Sequence, residues 1–217
     1  LVAEVTSLRE DVATDGRHAE VRFGTDWRRD AERRDFTLNA LYVGLDGALF
    51  DPVGGLADCL AGRVRFIGDP DRRIDEDRLR VYRFFRFSAS HGGEHFDPEG
   101  LAACRRAAGT LERVSAGPVG VDMLRPLSLR RCATTLDAMD GVGVVHIPAR
   151  VIARLVEYER RTERPTRTAR LALLAGERGL EPLQDAWRLA NAEIGTARAT
   201  LLAEKLLAAD RVYEAAY

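Results

Sequence analysis

Between Glu76 and Phe87 two residue classes return in step: Leu79, Tyr82 and Phe85 at every third position, and Arg80, Arg83 and Arg86 one residue after each of them. Residues three apart are neighbours on a helix, so the spacing predicts a helix with an aromatic and aliphatic stripe beside a polar stripe of Asp77, Arg80, Arg83 and Arg86. The apolar stripe requires a core to bury against. The polar stripe offers a carboxylate acceptor and then planar guanidinium forks, which hold a phosphate or a nucleobase edge bidentately where lysine would present a point charge. A salt-bridged surface helix satisfies the same pattern.

The bulk properties narrow the setting. With 217 residues and 46% hydrophobic content there is room for one large or two small domains with ordinary cores. A formal net charge of -1 excludes a global positive field, so any nucleic acid must be held by local patches. Lys205 is the only lysine among the 33 basic residues, which makes those patches arginine patches. Cys59, Cys104 and Cys132 are odd in number and far apart, with no CxxC pair and no clustered histidine, and read as reduced, mostly buried thiols. No apolar run reaches membrane-spanning length and no signal peptide is visible. A cytoplasmic protein is expected, with the mitochondrial matrix as the alternative, and neither membrane nor DNA is expected as a partner. The chain opens Leu1-Val2-Ala3-Glu4-Val5 without Met, already in strand-like sequence, from which a preceding segment is expected.

In chain order, residues 1–9 read as a strand, 11–17 as a polar loop and 19–23 as a second strand. Thr25 or Asp26 caps a helix that carries Trp27 and the charge-dense run 28–35. Hairpin strands follow at 42–45 and 48–50 around Asp46-Gly47, then a tight connection through Pro52, Gly54 and Gly55 into a short helix at 56–61. The Gly-Gly pair serves either a turn or a backbone approach to phosphate. A strand at 64–67 precedes the striped helix. Helices are expected at 101–108, 121–139 (interrupted at Pro126), 151–161, 167–174, 181–192 and 193–217, with loops at 91–95 and 115–118 and a linker near 160–166. His91 and His95 are separated by two glycines and read as loop histidines rather than metal ligands. Mixed strands and short helices followed by helices alone define an α+β chain.

Four ordered blocks carry a resemblance: Arg33-Arg34-Asp35-Phe36-Thr37-Leu38-Asn39-Ala40-Leu41, Asp51-Pro52-Val53-Gly54-Gly55-Leu56-Ala57-Asp58, Arg65-Phe66-Ile67-Gly68-Asp69-Pro70, and Glu76-Asp77-Arg78-Leu79-Arg80-Val81-Tyr82-Arg83. Together they resemble the motifs of the class II tRNA nucleotidyltransferases (CCA-adding enzymes) and their poly(A) polymerase relatives. The resemblance implies part of a polymerase-β-type nucleotidyltransferase head over residues 1–72, a helical neck with the nucleotide-reading motif over 73–150 and a helical body over 151–217. It implies template-independent addition of CMP and AMP to the 3′ end of tRNA, with CTP and ATP as substrates and Mg2+ neutralising the triphosphate. Asp77 and Arg80 would read the base edge, Arg83 and Arg86 would reach the nucleotide and its phosphates, and Arg34 and Asp35 would contact the ribose and organise the catalytic centre. In that family a Gly-Gly-x-Val-Arg-Asp loop and a metal-binding Asp-x-Asp pair lie upstream of a strand resembling residues 1–9; neither occurs in this sequence. Glu4, on the strand that matches the start of this sequence, is the candidate third metal-binding carboxylate, with an ordinary exposed strand glutamate as the alternative. The neck motif also departs, with Ser115-Ala116-Gly117-Pro118 in place of a Ser-x-Glu-Arg-like helix start. The alternative is a catalytically inactive homologue that binds ribosomal or other RNA among protein partners as a structural subunit.

Overall fold

In a computed structural model, which describes residues 9–14, 19–23, 26–176 and 179–214, the chain starts with an antiparallel pair, β1 (Arg9–Thr14) and β2 (Ala19–Phe23). The strand expected at residues 1–9 lies outside the described residues except for Arg9, and so does Glu4. Residues 11–14, expected in a loop, are instead in β1. The ladder from Arg9↔Phe23 to Thr14↔Ala19, irregular between Asp11 and Ala13, overrides the low strand propensity of Asp and Ala.

Asp26 caps α1 (Trp27–Glu32) by accepting the amides of Arg28 and Arg29. A 3-10 turn at Thr37–Asn39 leads to the hairpin β3 (Tyr42–Val43) and β4 (Leu49–Phe50). Helix α2 (Gly55–Leu60) is capped from outside by Asp51, whose oxygens accept the amides of Gly55 and Leu56. A Cβ on Gly55 would fall 2.0 Å from the Thr37 carbonyl oxygen, so this glycine is what allows α2 to sit against the 3-10 turn.

The strand expected at 64–67 is reduced to a single bridge, Phe36↔Phe66, flanked by Thr37 N–H to Arg65 O and Ile67 N–H to Asp35 O. It is nonetheless a rivet: Phe66 and Phe36 are buried with rings 4.9 Å apart, and they hold the Arg34-Asp35 segment against the core. The core continues through Phe84, Phe85 and Phe96, with Phe66 and Phe84 stacked at 5.6 Å.

The single helix expected from Glu76 is broken. Helix α3 (Pro70–Glu76) ends at Asp77, whose backbone is extended, and α4 (Leu79–His91) begins afresh. Val81, Phe84 and Phe85 of α4 face the core, as their spacing requires. Helix α5 (Pro98–Ala107) lies close enough to α4 that a Cβ on Gly100 would meet the Phe84 ring at 2.7 Å.

The chain divides into two compact units, Leu1–Thr110 and Leu111–Tyr217. The second contains α6 (Ala116–Leu124), α7 (Ala133–Gly141), α8 (Ala149–Arg161), α9 (Arg167–Ala175), α10 (Glu181–Trp187) and α11 (Asn191–Glu214). Residues 116–118, expected in a loop, form the first turn of α6, where the missing N–H of Pro118 would have had no helical partner. Gly120 lets α6 touch α10, since a Cβ there would lie 1.8 Å from the Trp187 carbonyl oxygen. Arg170 is wholly buried in this unit; it donates to Glu159 and to the carbonyls of Leu127, Leu129 and Arg130. Glu159 in turn accepts the Cys132 amide at the start of α7. The architecture is α+β: among the described residues the strands lie in the first unit and the remainder is helical. Among the described residues no helix is long and apolar enough to cross a membrane.

Candidate nucleotide site

One wall of the site is built by α1 and the turn after it. Asp30 is 1% exposed, three and four residues before Arg33 and Arg34, and its two oxygens divide between them. Oδ1 accepts from Arg33 Nε (2.9 Å) and Nη2 (2.5 Å); Oδ2 accepts from Arg34 Nε (3.1 Å) and Nη2 (2.9 Å) and from the Tyr42 hydroxyl (2.8 Å). Arg34 also donates Nη1 to the Asn39 carbonyl, and its guanidinium carbon sits 5.3 Å from the Tyr42 ring centre. Burial works against the Arg34 charge, but the hydrogen bond to Asp30 and the adjacent Asp30 and Tyr42 groups raise its pKa above the ordinary arginine value.

The facing wall is the break between α3 and α4. Asp77 turns the chain, with φ -152° and ψ 104°, and its Oδ1 accepts the Leu79 amide at 2.9 Å. This Asx-type turn ends one helix and starts the next. It leaves Oδ2 with no protein partner among the described residues. Arg73 ties the two walls: Nη2 donates to the carbonyls of Arg33 and Arg34, and Nη1 to Glu76. Arg73 is held below the ordinary arginine pKa, by its burial first and by the like charge of Arg80 second. Arg80 directs Nη1 into the Arg73 carbonyl (2.7 Å) and Glu76 (2.8 Å), which fixes the plane of its guanidinium. Arg83 donates Nε to Asp35 Oδ2 at 2.6 Å, and Asn39 donates to Asp35 Oδ1 at 2.8 Å.

Between these walls lies a cleft of about 450 Å³, lined by Arg33, Arg34, Asp35 and Asn39 on one side and by Asp77, Leu79, Arg80, Arg83 and Phe87 on the other. Of the residues singled out in the sequence, Arg34, Asp35, Asp77, Arg80 and Arg83 therefore meet. Arg86 is not among those lining the cleft; it is 8% exposed and stacks 4.3 Å from the Phe87 ring centre. Asp35 is 6% exposed and its oxygens are occupied by Arg83, Asn39 and the Phe36 amide. Asp30 and Arg73 escaped the sequence reading. The first was signalled by its i+3 and i+4 spacing to two arginines, while the second depends on backbone carbonyls 39 and 40 residues away, which no local pattern announces.

No group of three His, Cys, Asp or Glu side chains gathers to hold a metal ion among the described residues, and Asp35 is already neutralised by Arg83.

Among the described residues the strands lie in the first unit, where a cleft faces arginine forks with an aspartate acceptor. Residues 2–65 match the Poly A polymerase head domain. The chain belongs to the family of class II tRNA nucleotidyltransferases, the CCA-adding enzymes and their poly(A) polymerase relatives. Among particular proteins, it is 49% identical over 144 residues to the mitochondrial CCA tRNA nucleotidyltransferase 1 of Danio rerio, covering 65% of this chain and 33% of that one. It is 42% identical over 161 residues to the enzyme of the same name in Mus musculus, covering 72% of this chain and 37% of the relative. The chain thus spans about a third of the length of these curated relatives. The crystal structure of the Bacillus stearothermophilus CCA-adding enzyme in complex with CTP superposes with a TM-score of 0.75 at 27% identity, over 91% of this chain and 50% of that one.

Proposed function

We propose that this chain is the base-reading part of an RNA nucleotidyltransferase that adds CMP and AMP, from CTP and ATP, to the 3′ end of tRNA. The observation that carries the reading is the pairing of Asp77 and Arg80 on one edge of the cleft. Asp77 keeps an acceptor oxygen after capping α4, and Arg80, pinned through Nη1 and by one Nη2 hydrogen on the Arg33 carbonyl at 3.5 Å, keeps its Nε–H and a second Nη2 hydrogen as donors.

Cytosine and adenine each present an exocyclic amino donor beside a ring-nitrogen acceptor. Uracil and guanine present a carbonyl acceptor beside an N–H donor at the same positions. An aspartate acceptor next to an arginine donor therefore matches cytosine and adenine, and leaves two buried mismatches with uracil and guanine. Arg83, held by Asp35, and Arg33 and Arg34, held by Asp30, place cations along the cleft for the ribose and the triphosphate. In this role Asp35 acts on the nucleotide through Arg83, as a positioning group. The tRNA 3′ hydroxyl attacks the α-phosphorus, the α–β phosphoanhydride bond breaks and pyrophosphate leaves. Metal ions supply activation of the hydroxyl and charge neutralisation in this chemistry, and the described side chains account for base choice and orientation.

The CTP bound by the Bacillus stearothermophilus enzyme and the tRNA in the names of the vertebrate relatives support the substrate assignment. The mitochondrial naming of those relatives favours the matrix over the cytoplasm as the place of action. The test is incubation of the protein with Mg2+, labelled CTP or ATP and a tRNA lacking its 3′ end, beside an Arg80→Ala variant. Nucleotide addition that the variant loses is expected. RNA binding without addition would contradict the reading and favour an RNA-binding scaffold.

A further inference from the structure

Arg73 and Arg80 carry the same charge and reach for the same two acceptors. Arg73 Nη1 donates to Glu76 Oε2 at 2.5 Å, and Arg80 Nη1 donates to the same oxygen at 2.8 Å. Arg73 Nη2 donates to the Arg33 carbonyl at 2.7 Å, and Arg80 Nη2 meets the same carbonyl at 3.5 Å. At both acceptors Arg73 holds the shorter bond. The 3.5 Å contact lies at the outer limit of hydrogen bonding, so Arg80 only grazes the carbonyl that Arg73 holds. Arg80 lines the cleft and Arg73 does not.

Stability alone does not account for this arrangement. Arg73 is 9% exposed, and its Nε is buried with no partner among the described residues. Burial and the neighbouring Arg80 charge both work against its own charge. A buried donor without an acceptor and a like charge beside it each cost stability. What the arrangement does supply is a limit on where Arg80 can go.

We propose that Arg73 is a positioning residue for base choice: by occupying the Arg33 carbonyl and sharing Glu76, it keeps the Arg80 guanidinium from settling against the wall and leaves its donors turned to the base. The inference rests on the Asp77–Arg80 reading of the cleft and adds a specificity-determining residue that lies behind the cleft lining. Without Arg73, Glu76 and the Arg33 carbonyl each lose their nearer donor, and Arg80 is the guanidinium already in reach of both. Drawn onto them, it carries its Nε–H and second Nη2 hydrogen away from the base edge.

This role can be told from a mechanical tie between the walls. Loss of a tie, or of one positive charge, acts alike on all nucleoside triphosphates, which share their ribose and phosphates. Misplacement of Arg80 acts on the base alone. The experiment is calorimetric titration of CTP and of UTP into the wild-type protein, Arg73→Met and Arg73→Lys, with circular dichroism to follow the fold. Wild-type protein is expected to bind CTP at least about ten-fold tighter than UTP. In Arg73→Met the ratio is expected to fall to about two-fold or less, with UTP affinity held within about three-fold. Arg73→Lys keeps the charge but presents one ammonium in place of two Nη groups, and its ratio is expected to fall in between. An unchanged ratio in folded Arg73→Met, or in Arg73→Lys should Arg73→Met not fold, overturns the inference and leaves base reading standing. Failure of both variants to fold marks Arg73 as a structural residue and overturns it as well. Wild-type protein with no preference for CTP over UTP overturns the base reading and the inference with it.

Discussion

Asp35 lines the cleft with its carboxylate oxygens already taken by protein groups. Its carboxylate is buried and fully hydrogen-bonded to Arg83, Asn39 and the Phe36 amide. An Asp35→Ala variant leaves Arg83 and Asn39 without their acceptor and is expected to lose about 2–3 kcal/mol of stability, less than a wholly buried pair because Arg83 is one-third exposed. The midpoint of urea unfolding measures this, and an unchanged midpoint would contradict it. Cys104 gives a second prediction. Burial pushes its thiol from 9.0 up to about 12, so the folded protein keeps the proton where the unfolded chain gives it up. Its contribution to stability is therefore complete below about pH 9 and drains away as the pH rises towards 12. Cys104→Ala should show a shallower alkaline loss of stability than the wild type, and at pH 8 iodoacetamide should label the exposed Cys59 while sparing Cys104. The clustering of Arg34, Asp35, Asp77, Arg80 and Arg83 was legible in the sequence because motif order and helical spacing brought them together. The occupancy of Asp35 was not, since it depends on an arginine 48 residues away.

At the level of elements, the junction of α3 and α4 explains why a smooth three-residue repeat brought Arg80 and Arg83 to one face but gave the wrong helix, with Leu79 and Arg86 exchanging places between cleft and interior. Arg80 and Arg83 lie on α4 as the period requires, but Asp77 sits in extended backbone and uses one oxygen to start that helix. An aspartate that competes for backbone amides is a helix starter, and its pull outweighs the periodicity at this point. The two jobs of Asp77 can be separated. In Asp77→Ser the hydroxyl retains a weaker Asx-like bond to the Leu79 amide, so stability should change by under about 1 kcal/mol while discrimination against UTP and GTP collapses. Equal binding losses for all four nucleotides would instead mark Asp77 as structural only. The short hairpin and the start of α1 were also readable, because Asp46-Gly47 and the Asp26 cap announce them, whereas α3 and its cap Asp69 were not read. The strand at 64–67 shrank to one bridge, since its partner at 35–37 leaves extended geometry at once for the 3-10 turn.

For the whole molecule, the boundary between Thr110 and Leu111 left no mark in composition. It separates the arginine-lined cleft from a helical unit that holds the buried Arg170–Glu159 pair. Because Arg170 satisfies three carbonyls as well as Glu159, Arg170→Ala is expected to destabilise the second unit by about 3–5 kcal/mol, visible as an early step in thermal unfolding. In the first unit, the Asp77–Arg80 edge is proposed to select cytosine and adenine. The most direct test is equilibrium binding of CTP, ATP, UTP and GTP to the wild-type protein and to Arg80→Ala. CTP and ATP are expected to bind at least about ten-fold tighter than UTP and GTP, and Arg80→Ala is expected to erase the difference. Four equal affinities in the wild-type protein, or a preference that survives the loss of Arg80, would contradict it.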